Sequence, residues 1–158
     1  MKRNSASEVW FYHLQRSPLE AVLPVLLERC MERGWRSLVL CGSQERMEAL
    51  DALLWTYRED SFLPHGRDSD PRAAQHPILL SAAEGDEAQE TNGATIQFLV
   101  DGASSNRLAE FDRTVDLFHG EDPVALEAAR DRYRSARGAG FDVTYWQQNA
   151  AGVWEQKG

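Results

Sequence analysis

Asp116-Leu117-Phe118-His119-Gly120-Glu121-Asp122-Pro123 opens the most informative segment of the chain, which runs on through Val124 to Arg137 and closes with Gly138-Ala139-Gly140-Phe141-Asp142-Val143-Thr144-Tyr145-Trp146. Asp122 is placed to accept orphan N–H bonds as an N-cap, and Pro123 falls at the first helical position, where a missing N–H costs nothing. Gly138 is expected to stop the helix. With apolar runs before and after it, the segment reads as strand (Arg113 to Phe118), helix, strand (Phe141 to Gln148). At about 100° per residue, Arg130, Arg134 and Arg137 stack into one narrow stripe with Tyr133 beside it, while Ala125, Ala128, Ala129 and Ala136 lie on another face.

The 158 residues suffice for one domain with a real core and are too few for two ordinary ones, so residues 1–158 are expected to form a single domain. Residues 1–7 read as a flexible N-terminus. Apolar residues at 42% and charged ones at 27% are ordinary for a globular protein. No apolar run approaches the roughly 18 residues of a membrane span, and the first residues lack the apolar core of a signal peptide, so no membrane association and a cytoplasmic location are expected. Cys30 and Cys41 lack metal-ligand spacing and sit inside apolar segments, which reads as buried free thiols. A net charge of −8 argues against strong direct nucleic-acid binding. Any anionic partner must be met by a local patch, and the arginine stripe is the candidate.

Elsewhere the chain alternates. Val9-Trp10-Phe11-Tyr12 with Leu14 suits a strand buried on both faces. Ser17-Pro18-Leu19-Glu20 reads as a capping box opening a helix that runs to about Arg33, with Pro24 kinking it or marking its true start and Gly34 ending it. Ser37 to Cys41 is a second strand. After Gly42-Ser43 comes a helix from about Gln44 to Tyr57 with Met47, Leu50, Leu53 and Leu54 inward. Arg58 to Pro77 reads as a long surface connection anchored by Phe62-Leu63. Pro77 to Ser81 and Thr95 to Val100 are further strands, separated by an acidic, solvated connection that includes Glu84 to Glu90. Leu108 to Phe111 suggests a helical turn, and Phe141 to Gln148 with Val153 to Gln156 a terminal hairpin. The sum is an α/β three-layer sandwich, its sheet mostly parallel, with helices on both faces and an antiparallel edge.

Catalytic signatures are missing. Neither glycine-rich phosphate fingerprint is present, and Gly42-Ser43 is a lone glycine with a capping serine. His13, His65, His76 and His119 form no metal-ligand motif and are read as structural or exposed. The arginine stripe itself admits two readings: an anion-binding patch, or exposed arginines that merely pair with Glu127 and Asp131.

Several stretches together resemble the chi subunit of bacterial DNA polymerase III holoenzyme. They are Leu50-Asp51-Ala52-Leu53-Leu54-Trp55, Ser61-Phe62-Leu63-Pro64-His65, Pro77-Ile78-Leu79-Leu80, Asp116-Leu117-Phe118, Glu121-Asp122-Pro123, and Ala129-Arg130-Asp131-Arg132-Tyr133-Arg134 through Gly140-Phe141. The resemblance implies a Rossmann-like fold and a non-catalytic accessory subunit of the clamp-loader complex without a cofactor. Its implied partners are the acidic C-terminal tail of single-stranded-DNA-binding protein and, where one exists, a psi subunit or other clamp-loader subunit. Carried over by position, the tail-binding residues are Trp55, Phe118, Arg130, Tyr133 and Arg134; Arg137 joins them by helical spacing. The lysine expected early in this helix has Ala125 or Leu126 in its place. The alternative from another class is a small α/β nucleotide-binding domain or enzyme using the crevice near Gly42-Ser43.

Overall fold

A computed structural model describes residues 7–15, 17–57, 63–67, 70–82, 92–105 and 107–157. Its elements are β1 (Glu8–Leu14), α1 (Leu19–Glu32), β2 (Ser37–Cys41), α2 (Gln44–Thr56), β3 (His65–Arg67), β4 (Ile78–Ser81), β5 (Ile96–Val100), β6 (Arg113–His119), α3 (Pro123–Gly138), β7 (Asp142–Gln148) and β8 (Trp154–Gln156), with short 3-10 turns at Ala73–Gln75 and Leu108–Glu110. The strands form one sheet in the order β3-β4-β2-β5-β6-β1-β7-β8. Every pairing is parallel except β7 with β8. The α/β class, the mostly parallel sheet and the terminal antiparallel hairpin therefore match the reading of the sequence. The strand order does not follow the standard dinucleotide-fold order, so the Rossmann likeness stops at a parallel sheet flanked by helices.

Strand alternation distributes the core. Tyr12, Leu14, Val115 and Leu117 pack with Leu23 and Leu27 of α1 and with Met47, Leu50 and Leu54 of α2 on one face. Val9, Phe11 and Phe118 pack with Ala129 and Ala136 of α3 on the other. Small alanines let α3 lie close to the sheet. Beside α3, Leu38, Leu40, Leu79 and Leu99 are covered by Ala73 and Phe111. Among the described residues, no helix is long and apolar enough to cross a membrane.

Four expectations are corrected. Ser17 does not cap α1: Pro18 is the N-cap, and the Ser17 hydroxyl accepts from Gln148 Nε2 at 3.1 Å. Pro24 lies inside α1 and does not mark its start. Gly138 remains helical; Ala139 caps α3 and Gly140 takes the left-handed conformation at φ +90°, with Phe141 N–H closing onto Ala136 O. The connection after α2 contains the edge strand β3, whose His65 is buried. Of the expected anchor, Leu63 is buried and Phe62 lies outside the described residues, as do Ser61 and the acidic run Glu84 to Glu90. Of residues 1–7, expected to be flexible, only Ser7 is described; it is buried and its carbonyl accepts from Asp142 N–H.

Candidate functional site

Asp122 accepts from the N–H groups of Val124 and Ala125 and so fixes the start of α3. Further along, Arg132 reaches back to the sheet: its Nε and Nη2 donate to Asp116 at 2.6 and 3.0 Å. Burial pushes the Asp116 carboxyl up and Arg132 pulls it back. This pair, with Ala129 and Ala136 against β1, sets the rotation of the helix. Arg130, Tyr133 and Arg134 are then turned toward β6 and β7.

There they border a recess of about 310 Å³ lined by Phe118, Arg130, Tyr133, Arg134 and Tyr145. Phe118 is buried, and its ring lies 6.1 Å from that of Tyr145, which in turn stands edge-on to Tyr133 at 6.0 Å. The guanidiniums stand at the rim, with 59% of the Arg130 side chain and 63% of that of Arg134 exposed. The recess thus offers a ring-lined floor to an apolar ring and two rim cations to a carboxylate.

Behind the floor, His13 Nδ1 and the Tyr145 hydroxyl are 2.5 Å apart. Burial, helped by Arg130, holds the His13 pKa below the ordinary 6.5. Burial raises the Tyr145 pKa against the pull of Arg130, so the phenol stays neutral. A Cβ on Gly120 would land on the His13 ring, so this turn requires glycine.

Of the six residues predicted for the site, the structure brings four together in the recess. Arg137 stands beside them and donates to the Tyr133 hydroxyl at 3.2 Å, bracing that ring. Trp55 is elsewhere. It lies on α2, 58% exposed, its ring 4.7 Å from that of His65. α2 packs on the sheet face opposite α3, and β3 is four strand positions from β6, roughly 19 Å across the sheet. Reading the sequence missed Tyr145 and the Asp116–Arg132 pair. A lone aspartate inside the apolar run Val115 to Phe118 is the signal that could have found the pair, because a buried carboxylate needs a partner. The bland reading of the stripe is also present in the geometry: Arg134 pairs with Asp131 at 2.6 Å, and Arg130 comes within 3.9 Å of Glu127.

The crevice at Gly42-Ser43 has another occupant. A Cβ on Gly42 would collide with the backbone of Asp101, while Ser43 Oγ donates to Asp101 Oδ2 at 3.1 Å and accepts from Arg46 N–H. A carboxylate at this helix start repels the phosphate that a nucleotide would bring. No group of three His, Cys, Asp or Glu among the described residues is arranged to hold a metal ion.

Comparison with known proteins agrees with the motifs quoted above. The chain is 26% identical over 107 residues to the probable DNA polymerase III subunit chi of Rickettsia prowazekii (strain Madrid E), a match that spans 68% of this chain and only 62% of the relative. It is 25% identical over 140 residues to the DNA polymerase III subunit chi of Pseudomonas aeruginosa, covering 87% of this chain and 94% of the relative. To the Escherichia coli (strain K12) subunit chi it is 26% identical over 129 residues, covering 79% and 84%. The family model described as DNA polymerase III chi subunit, HolC, matches residues 6–144. With most of its length matched in this way, the chain belongs to the DNA polymerase III chi subunit family.

Proposed function

We propose that the chain is a non-catalytic accessory subunit of the DNA polymerase III holoenzyme whose recess between α3 and β6–β7 binds the acidic C-terminal tail of single-stranded-DNA-binding protein. The observation that carries the reading is the recess itself, with two exposed arginines over a floor of Phe118, Tyr133 and Tyr145. A tail bearing aspartate and ending in Pro-Phe with a free carboxylate offers the complementary groups. The arginines hold the carboxylates, and the terminal ring enters among the three aromatics. Where one is present, a psi subunit or another clamp-loader subunit joins the chain to the polymerase, and the protein acts in the cytoplasm. A chain with a net charge of −8 approaches an acidic partner slowly, and the local cations decide docking.

Titration with a labelled tail peptide tests the reading. Saturable binding that drops by about 1.5–3 kcal/mol when the terminal phenylalanine is removed is expected from the burial of one ring. Equal binding of the shortened peptide, or loss of all affinity at high salt, would reduce the recess to a nonspecific anion surface.

A further inference from the structure

Four of the five tryptophans of the chain, Trp10, Trp35, Trp146 and Trp154, line a second surface on the sheet face opposite the recess. β1 serves both sides: Phe11 joins the α3 cluster, while Trp10 and Tyr12 point to the α1 side. Beside α1 two adjoining hollows of about 160 and 390 Å³ share Trp10, Tyr12, Leu26 and Arg29 and form one groove. Its near wall is one side of α1, where Val22, Leu26, Arg29 and Arg33 recur at helical spacing. Its far wall is Trp146 and Trp154 of the terminal hairpin. Among the described residues no further helix follows α1 over β7 and β8 on this face, and all four indoles are left half-buried.

Charge tells what fits. In a chain of net charge −8, the groove is lined by three arginines and no carboxylate. The Arg113 guanidinium lies 3.8 Å over the Trp10 ring, braced by Glu8 at 2.9 Å, and that of Arg33 lies 5.0 Å over Trp35. Arg29 and Arg33 have no ion-pair partner among the described residues. All three cations belong to the hollow at the Trp35 end; the Trp154 end holds none beyond the shared Arg29. A nucleic-acid strand needs cations along its whole path, so this one-ended arrangement does not suit it. It suits an amphipathic helix with an apolar stripe and carboxylates at one end. The lining from Ala21 to Arg33 runs about 18 Å at 1.5 Å per residue, the length of roughly three helical turns.

We propose that this groove docks an amphipathic helix of a partner protein, its apolar stripe on Trp10, Trp146 and Trp154 and its terminal carboxylates on Arg29 and Arg33. The site is independent of the tail recess and leaves it open.

The test uses the full chain and a synthetic helical peptide of about twelve residues, with leucines at i, i+3, i+4 and i+7 and glutamates at one end, followed by tryptophan fluorescence. Saturable binding is expected, weakened about tenfold or more by Arg29→Glu with Arg33→Glu and by Trp154→Ala, and unchanged by Trp55→Ala. The peptide with lysines in place of glutamates should bind the charge-reversed variant better than the original chain. Both arginines are exposed, so the reversal should leave the circular dichroism spectrum intact; if it does not, Arg29→Gln with Arg33→Gln is measured instead. The proposal is overturned if the variants bind the peptide as the original chain does, or if an oligothymidylate binds the groove with comparable affinity through Arg29 and Arg33. Displacement of the helical peptide by the single-stranded-DNA-binding protein tail would equally overturn it, by showing one site where two are inferred.

Discussion

Asp116 in the middle of β6 receives both Nε and Nη2 of Arg132, and this contact is a polar tie between α3 and the sheet beneath it. The carboxylate is almost wholly buried and most of the guanidinium is covered. Removing one partner strands the other in a low dielectric, so Asp116→Asn or Arg132→Ala should each cost about 3–5 kcal/mol in urea unfolding. Replacing both, as Asp116→Leu with Arg132→Met, should recover most of that loss. Tail affinity should fall in the single variants as well, because α3 carries the rim.

Arg130→Ala and Arg134→Ala remove rim cations without touching the core. Each should weaken tail binding by about 1.5–3 kcal/mol if it makes a charge-assisted bond, with the melting temperature nearly unchanged. Asp131→Asn should act in the opposite direction. Arg134 now spends its guanidinium on Asp131, and freeing it should strengthen tail binding by at most about 1 kcal/mol. Isothermal titration of the three variants beside the parent chain separates these outcomes.

The aromatic floor makes a different prediction. Tyr145→Ala should mimic removal of the terminal phenylalanine from the tail, because its ring contacts both Phe118 and Tyr133. Trp55→Ala should leave tail affinity within about 0.5 kcal/mol of the parent, the range of a surface change away from the site. The resemblance grouped Trp55 with the recess residues, whereas the sheet separates them. A large loss of tail affinity in Trp55→Ala would show that the tail reaches around the sheet edge.

Stability should depend on pH through His13. Its native pKa lies below the ordinary 6.5 because the ring is buried and faces Arg130. The unfolded chain therefore takes up a proton that the native state refuses. That contribution is present in full above the unfolded pKa and is lost as pH falls through it and on through the lower native value. Thermal unfolding between neutral and acid pH should show this decline, and His13→Gln should flatten the slope attributable to the ring.

The elements legible in the sequence were those with strong local signals. Asp122-Pro123 marks the start of α3 in any context, and the apolar runs of β2, β5 and β6 cannot be satisfied outside a buried sheet. β3 carries no such signal. His65-Gly66-Arg67 is held from outside, by Asp51 on α2 bonding Arg67 Nε and Nη2 at 3.1 and 2.9 Å, and by the His76 ring packed where a side chain on Gly66 would stand. The recess was half legible for a similar reason. Arg130, Tyr133 and Arg134 share a helix face by spacing alone. Tyr145 joins them only once β7 is registered beside β1, with Phe11 opposite Tyr145. Trp55 could be separated from them only by the strand order, which depends on contacts far apart in the chain.

The place of β1 in the sheet has a consequence for how the chain reaches this structure. β1, the earliest of the described strands in chain order, lies between two much later ones: Glu8 pairs with Arg113 on one edge and with Asp142 on the other. One edge of an apolar strand therefore stays open until Arg113–His119 has left the ribosome, and the other until Asp142–Gln148 has followed. Loop closure over such separations must precede any reward from pairing, so folding should be slow for a domain of this size. Chains truncated before β6 should expose Trp10, Phe11 and Tyr12 as an unpaired edge and aggregate where the complete chain does not.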